Sequence, residues 1–153
     1  MYRLFAAALA LGLVAGPALA AEDLVADGKK VFKKCGACHA VGEGAKKKVG
    51  PPLNGIFGRT AGATEGFKYS KAMLALGEAE FTWDEESLTG YLTKPKTWLK
   101  DFPPTLGLDC GELKKCKGKM AFAGLKKPED IEAVLAYLAT FDMMGMAVEP
   151  ATN

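Results

Sequence analysis

Cys35-Gly36-Ala37-Cys38-His39 is the stretch from which the rest of this chain is read. A Cys-x-x-Cys-His run is an attachment sequence for c-type haem. The two thiols form thioether bonds to the vinyl groups, and the adjacent imidazole reaches the iron. Gly36 and Ala37 are small enough for the backbone to turn tightly beneath a porphyrin. Part of the pattern serves other chemistry. A redox disulfide would sit at a strand-to-helix junction, and no βαβ pattern precedes it. Half a zinc site would need a second ligand pair. Cys110 and Cys116 could supply one, at a spacing of five intervening residues. A chance match is the third alternative, and the chain's single histidine standing directly after the second cysteine argues against it.

On the N-terminal side, Arg3 is followed by an apolar run from Leu4 to Ala15, then Gly16-Pro17 and the small-x-small pattern Ala18-Leu19-Ala20. This reads as a secretory signal cleaved after Ala20, which leaves residues 21–153 as a periplasmic protein without stable membrane insertion. An uncleaved anchor is the alternative, since Leu4 to Ala21 is nearly long enough to span a bilayer.

The mature chain shows no internal repeat. Leu24 to Lys34 reads as a short amphipathic helix with acids at its start and lysines at its end. Eight glycines and two prolines between Gly36 and Gly66 make that stretch mostly loop. Ser70 to Leu76 has room for one or two helical turns. Trp83 to Thr93 reads as a helix capped by Thr82 and closed by Pro95. The last helix begins at Pro128-Glu129-Asp130 and lines up Ile131, Val134, Leu135, Leu138 and Phe141 on one face. Nothing alternates as a strand, so the expected fold is all-α, one domain of short helices and glycine-rich loops. So little helix leaves a small core to offset the ordering entropy, and a large buried cofactor would make up the deficit.

With one histidine, bis-His ligation of an iron is impossible. The opposite ligand is Met73, Met120, Met143, Met144 or Met146, or the position is open. Met120 lies on a loop just before the last helix. Met143, Met144 and Met146 follow that helix in what reads as a frayed tail. Any single methionine can equally fill core space.

The sequence closely resembles class I cytochrome c, in particular the bacterial cytochromes c2 and c550 and their mitochondrial relatives. The matching segments are 28–39, 48–59, Gly66-Phe67-Lys68-Tyr69-Ser70, Thr82-Trp83, 91–96 and Lys119-Met120-Ala121-Phe122-Ala123-Gly124, in family order through nearly all of residues 21–153. The resemblance implies the cytochrome c fold around one covalently bound haem c. It also implies that His39 and Met120 are the axial iron ligands and that the Pro51 carbonyl accepts from His39 Nδ1. Arg59, Tyr69, Ser70 and Trp83 match positions around a haem propionate, and Tyr91 matches a tyrosine whose hydroxyl lies near the methionine sulfur. Gly28 and Phe32 should meet the last helix near Val134 and Tyr137.

The chain departs from the family in three places. Met73 replaces an asparagine of mitochondrial relatives, and Gly118 lies near the position of a family threonine. Residues 99–117 form a long insertion. In an exported protein Cys110 and Cys116 are expected to pair as a disulfide, closing a short ring worth about 2 kcal/mol.

Net charge is only +2, too small for nucleic-acid binding by bulk electrostatics. It conceals segregation. Segments 29–48 and 94–127 hold 16 lysines against 4 acids, and the rest of residues 21–153 hold 3 basic residues against 14 acids. These basic segments flank both ligand loops, so Lys34, Lys48, Lys94, Lys96 and Lys119 are expected to form a docking rim for acidic partners. Filled His/Met ligation passes single electrons and leaves no site for oxygen or peroxide. The expectation is therefore a soluble, monomeric electron carrier and not an enzyme. The resemblance suggests a bc1-type complex as donor and an oxidase, reductase or photosynthetic reaction centre as acceptor. A membrane-anchored carrier, or a haem peroxidase or ligand-binding protein with a labile Met120, are the alternatives.

Overall fold

A computed structural model describes residues 17–113 and 116–148. The apolar run of the expected signal, residues 4–15, lies outside the described residues. Within them the chain forms five α-helices: α1 Pro17–Phe32, α2 Lys71–Glu78, α3 Glu85–Thr93, α4 Pro95–Asp101 and α5 Pro128–Ala139, with one 3₁₀ turn at Pro103–Leu106. The only extended pairing among the described residues is two isolated bridges, Thr60 with Thr82 and Phe141 with Ala147. The all-α expectation holds.

Two helices carry the frame. α1 and α5 cross where Gly28 backs onto Ala133, and a Cβ at Gly28 would fall on the Ala133 carbonyl oxygen. Phe32 then tilts against Tyr137 with ring centroids 5.4 Å apart. The buried core continues through Val31, Ile131, Val134, Leu135 and Leu138. This is the close crossing expected of Gly28 and Phe32.

Several local expectations need correction. α1 begins at Pro17, with proline in its first turn, and not at Leu24. The cap of α3 is Asp84 and not Thr82. Asp84 Oδ1 accepts from Ser87 N at 2.8 Å and Ser87 Oγ accepts from Asp84 N at 3.0 Å, a reciprocal capping box. Pro95 ends α3 and also opens α4, because a ring-fixed φ suits a first turn whose N–H needs no partner. The expected insertion therefore starts inside a helix: Leu99 is 1% exposed, and Pro103 is also fully buried.

The residues after α5 form an ordered turn where a frayed tail was expected. Asp142 Oδ1 accepts from the backbone N–H of Met144 and of Met146, both at 2.8 Å. Val148 N donates to Thr140 O at 2.8 Å, and Gly55 N donates to Phe141 O at 3.0 Å. One aspartate and two backbone ties hold what hydrophobic periodicity could not indicate.

Candidate functional site

The Cys-x-x-Cys-His run continues from α1 as a further helical turn. Gly36 N donates to Phe32 O at 2.9 Å and His39 N donates to Cys35 O at 2.9 Å. Positions 35 and 38, three apart on such a turn, share a face. Neither cysteine is in a disulfide, and both are half-buried. Burial pushes the Cys35 thiol up, partly offset by Lys34.

His39 is oriented by its neighbours. Nδ1 lies 2.7 Å from Pro51 O. A carbonyl only accepts, so Nδ1 carries the proton and Nε2 presents its lone pair. No protein donor or acceptor among the described residues meets Nε2. Gly50 lies flat against the ring: a Cβ there would stand 2.7 Å from Nδ1 and 2.8 Å from Nε2. Burial lowers the imidazole pKa, with Arg59 and Lys48 adding to it against the Pro51 bond. The ring is thus held neutral, which is the metal-binding form.

A second wall is aromatic. Trp83 is buried and meets Phe81 at 5.2 Å, Tyr91 at 5.2 Å and Trp98 at 5.4 Å, and Trp98 stacks on Phe102 at 4.3 Å. Burial pushes the Tyr91 hydroxyl up to about 12. Trp98 and Phe102 were not singled out from the sequence. Their spacing of four, from α4 to its C-cap, was the available signal, hidden because α4 itself was not foreseen.

Arg59 is half-buried, with Nη1 donating to Pro52 O at 3.0 Å and Asn54 O at 3.1 Å. Burial lowers its pKa, and Tyr69 lies near enough to oppose that. A reciprocal backbone pair, Trp83 N to Arg59 O and Gly58 N to Trp83 O, joins this segment to the aromatic wall. The structure therefore brings Arg59, Tyr69 and Trp83 together. Ser70 is drawn elsewhere: its hydroxyl accepts from Met73 N at 3.3 Å and caps α2.

Met120 is half-buried in an irregular segment before α5. That segment is tied at both sides, by Lys119 Nζ to Lys68 O at 2.6 Å and by Leu125 N to Leu92 O at 2.8 Å. Gly124 has φ +98° and lies on the Thr93 carbonyl, so only glycine fits there. Cys110 and Cys116 are joined as a disulfide. That pairing removes them from the zinc site they could have completed with Cys35 and Cys38.

Asn54 was also missed. It is 8% exposed and clasps Gly42 in both directions, accepting from its N–H at 2.8 Å and donating to its carbonyl at 2.9 Å. Nothing in the sequence separates this asparagine from a loop residue. Of the expected docking lysines, Lys34 pairs with Asp130 at 2.8 Å, and Lys48 donates to Gly36 O at 2.8 Å. Lys94 and Lys96 are exposed beside Phe122, lining a groove of about 490 Å³.

These residues fit a covalently attached haem. A thiol pair shares one turn face, a neutral imidazole has one nitrogen unengaged, and the donor set is one nitrogen plus thioethers, the set that suits haem iron.

Known proteins carry the same arrangement of sequence. The family described as cytochrome c matches residues 25–102. The chain is 52% identical to a cytochrome c2 of Afifella marina over 124 residues, covering 81% of this chain and 87% of that one. It is 43% identical to a cytochrome c-550 of Ancylobacter novellus, covering 78% and 97%. Among solved structures, cytochrome c2 from Rhodospirillum centenum superposes with a TM-score of 0.68 at 40% identity, covering 77% of this chain and 98% of that one.

Proposed function

This chain belongs to the cytochrome c family, whose members carry one covalently bound haem c and transfer electrons without acting as enzymes. On that premise we propose that it is a periplasmic one-electron shuttle with Cys35 and Cys38 as the thioether anchors and His39 and Met120 as the axial ligands. The haem, when bound, supplies a single-electron iron couple. The chain's own residues do the rest.

The observation that carries this reading is the lone imidazole, with Nδ1 bonded to Pro51 O at 2.7 Å and Nε2 meeting no protein group among the described residues. That bond holds the ring in the tautomer and orientation a ligand needs, and strengthens it as a donor. Met120 supplies the opposite thioether from a segment anchored at Lys68 and Leu92. A thioether favours the ferrous state and raises the potential. Arg59, Tyr69 and Trp83 line the side where a propionate carboxylate would be buried, and the Arg59 guanidinium offsets that burial. Ser70 acts there through the cap of α2.

Before function, we assign residues 1–20 to a cleaved signal, so that α1 starts at Ala21 in the mature protein. No described helix is long and apolar enough to cross a membrane. Lys48, Lys94, Lys96 and Lys119 form the basic rim that meets acidic surfaces of a bc1-type donor and of an oxidase, reductase or reaction-centre acceptor. Lys34 contributes less, because Asp130 offsets its charge.

The test of the ligand pair is the optical spectrum of Met120→Ala holoprotein in both redox states. Loss of the low-spin, methionine-ligated signature is expected, and an unchanged spectrum refutes Met120. Mass of the protein exported in a Gram-negative host tests the signal: cleavage after Ala20 is expected, and retention of residues 1–20 refutes it.

A further inference from the structure

The two ligands proposed for the iron are held in unequal ways. Around His39 the backbone closes on itself: Gly36, Cys38 and His39 donate their N–H groups within the turn, and Gly50 N donates to Cys38 O at 2.8 Å. Around Met120 the backbone is bare. Among the described residues, no N–H or carbonyl of residues 116–124 enters a backbone–backbone hydrogen bond. A segment with so few backbone bonds opens at low cost.

What restrains it is a small set of point attachments. Lys119 Nζ donates to Lys68 O at 2.6 Å, and Leu125 N, just past the segment, donates to Leu92 O at 2.8 Å. At the other end stands Cys116, 2% exposed and in the same core cluster as Leu99, against whose side chain Gly118 lies. Cys116 has φ +49°, in the left-handed region that few residues other than glycine adopt. Such a conformation persists only where the surroundings over-determine it. Burial and the covalent bond to Cys110 supply that constraint.

Cys110 is itself braced. From α4 the chain passes through the buried Pro103 and two turn bonds, Gly107 N to Pro104 O and Leu108 N to Pro103 O. It then enters a turn in which Asp109 O accepts from Leu113 N at 3.1 Å. The insertion is a strap built onto α4, and the disulfide joins it to the residue four before Met120. A cross-link anywhere would stabilise the fold as a whole. This one is fastened to the end of the Met120 segment that has no hydrogen-bond tie among the described residues.

We propose that the Cys110–Cys116 disulfide positions the axial methionine: by pinning the start of the 116–124 segment, it keeps the Met120 thioether on the iron and that axial position closed to small ligands. The inference rests on the assignment of Met120 as an axial ligand.

Imidazole is the probe. In ferric holoprotein it takes the place of the methionine only in molecules whose segment is open, so its apparent affinity reports the open fraction. Binding is read at fixed neutral pH from loss of the sulfur-to-iron charge-transfer absorption. Cys110→Ser cuts the link and leaves the buried Cys116 sulfur in the core, and imidazole should bind this variant about tenfold more tightly or more. Cys110→Ala with Cys116→Ala should behave alike. Ile131→Ala opens a cavity in the core between α1 and α5, lowers overall stability at least as much, and should bind imidazole as the parent does. The inference is overturned if the two disulfide variants bind imidazole no more tightly than the parent, or if Ile131→Ala tightens binding as much as they do. A parent spectrum without the charge-transfer band overturns the Met120 assignment and this inference with it.

Discussion

Gly50→Ala probes the orientation of His39 with a single methyl group. Gly50 lacks the positive φ that would demand glycine, so its only cost is contact. The added Cβ would lie 2.7 Å from His39 Nδ1, whereas ordinary contact starts at 3.4 Å. Cε1 of the ring is pressed harder still, so the ring must retreat by about 1 Å, and Pro51, the adjoining residue, bears the carbonyl that Nδ1 bonds at 2.7 Å. Retreat by that much takes the bond beyond the normal range of about 2.7–3.2 Å. Overpacking costs about 1–3 kcal/mol, and the stretched bond about 1 kcal/mol more. The sum is about 2–4 kcal/mol, or some 6–12 °C in Tm at about 3 °C per kcal/mol for a domain of this size. A weaker Nδ1–H bond makes the imidazole a poorer donor to ferric iron, so the midpoint potential should rise. Thermal unfolding of the holoprotein and a redox titration read both effects. Gly36→Ala, in the same motif, is the control: its Cβ would meet nothing closer than 3.6 Å. If Gly50→Ala matches Gly36→Ala in Tm and in potential, the steric reasoning fails.

Asn54→Ala leaves the N–H and carbonyl of Gly42 unpaired, and denaturant unfolding should record a loss of about 2–4 kcal/mol with the same slope. Tyr91 has a folded pKa raised to about 12 from 10.0, so its stabilisation is complete below pH 10 and is lost as pH rises toward 12. Up to about 2.7 kcal/mol is at stake in that window, and Tyr91→Phe should show correspondingly less alkaline loss in urea titrations at pH 9 and 11.5. Cys110→Ala with Cys116→Ala should lower stability by about 2 kcal/mol on the chain-entropy model, measured by denaturant titration against the oxidised parent. Asp84→Ala should remove the α3 cap and cost about 1 kcal/mol at neutral pH. Because Ser87 holds the Asp84 carboxyl below its usual range, that difference should shrink as pH falls through the carboxylate range.

Much of this protein is local and therefore legible in the order of residues. The Cys-x-x-Cys-His run, the single histidine, the Pro128 start of α5 and the absence of alternating segments are properties of neighbours in the chain. They determine the attachment motif, the all-α class and the exclusion of bis-histidine ligation without any distant contact. The close approach of Gly28 to α5 was legible only through resemblance to a family, since a glycine in a helix looks merely destabilising until its partner is known. Other features belong to the tertiary structure. Asn54 becomes a clasp only because folding brings the Gly42 carbonyl and N–H to its side chain. Ser70, matched to a propionate, spends its hydroxyl on the start of α2. Pro95 reads equally as an end and as a beginning, and only packing of Trp98 against Trp83 and Phe102 decides that a helix follows. The turn at 142–146, which reads in the sequence as a frayed tail beyond the last helix, is ordered by one carboxylate that accepts two backbone donors. Periodicity reports which faces are buried and is silent about hydrogen bonds made by a single side chain. His39 divides the same way: resemblance to the family named the Pro51 carbonyl as the partner of Nδ1, while the fit of Gly50 flat against the ring is visible only in three dimensions.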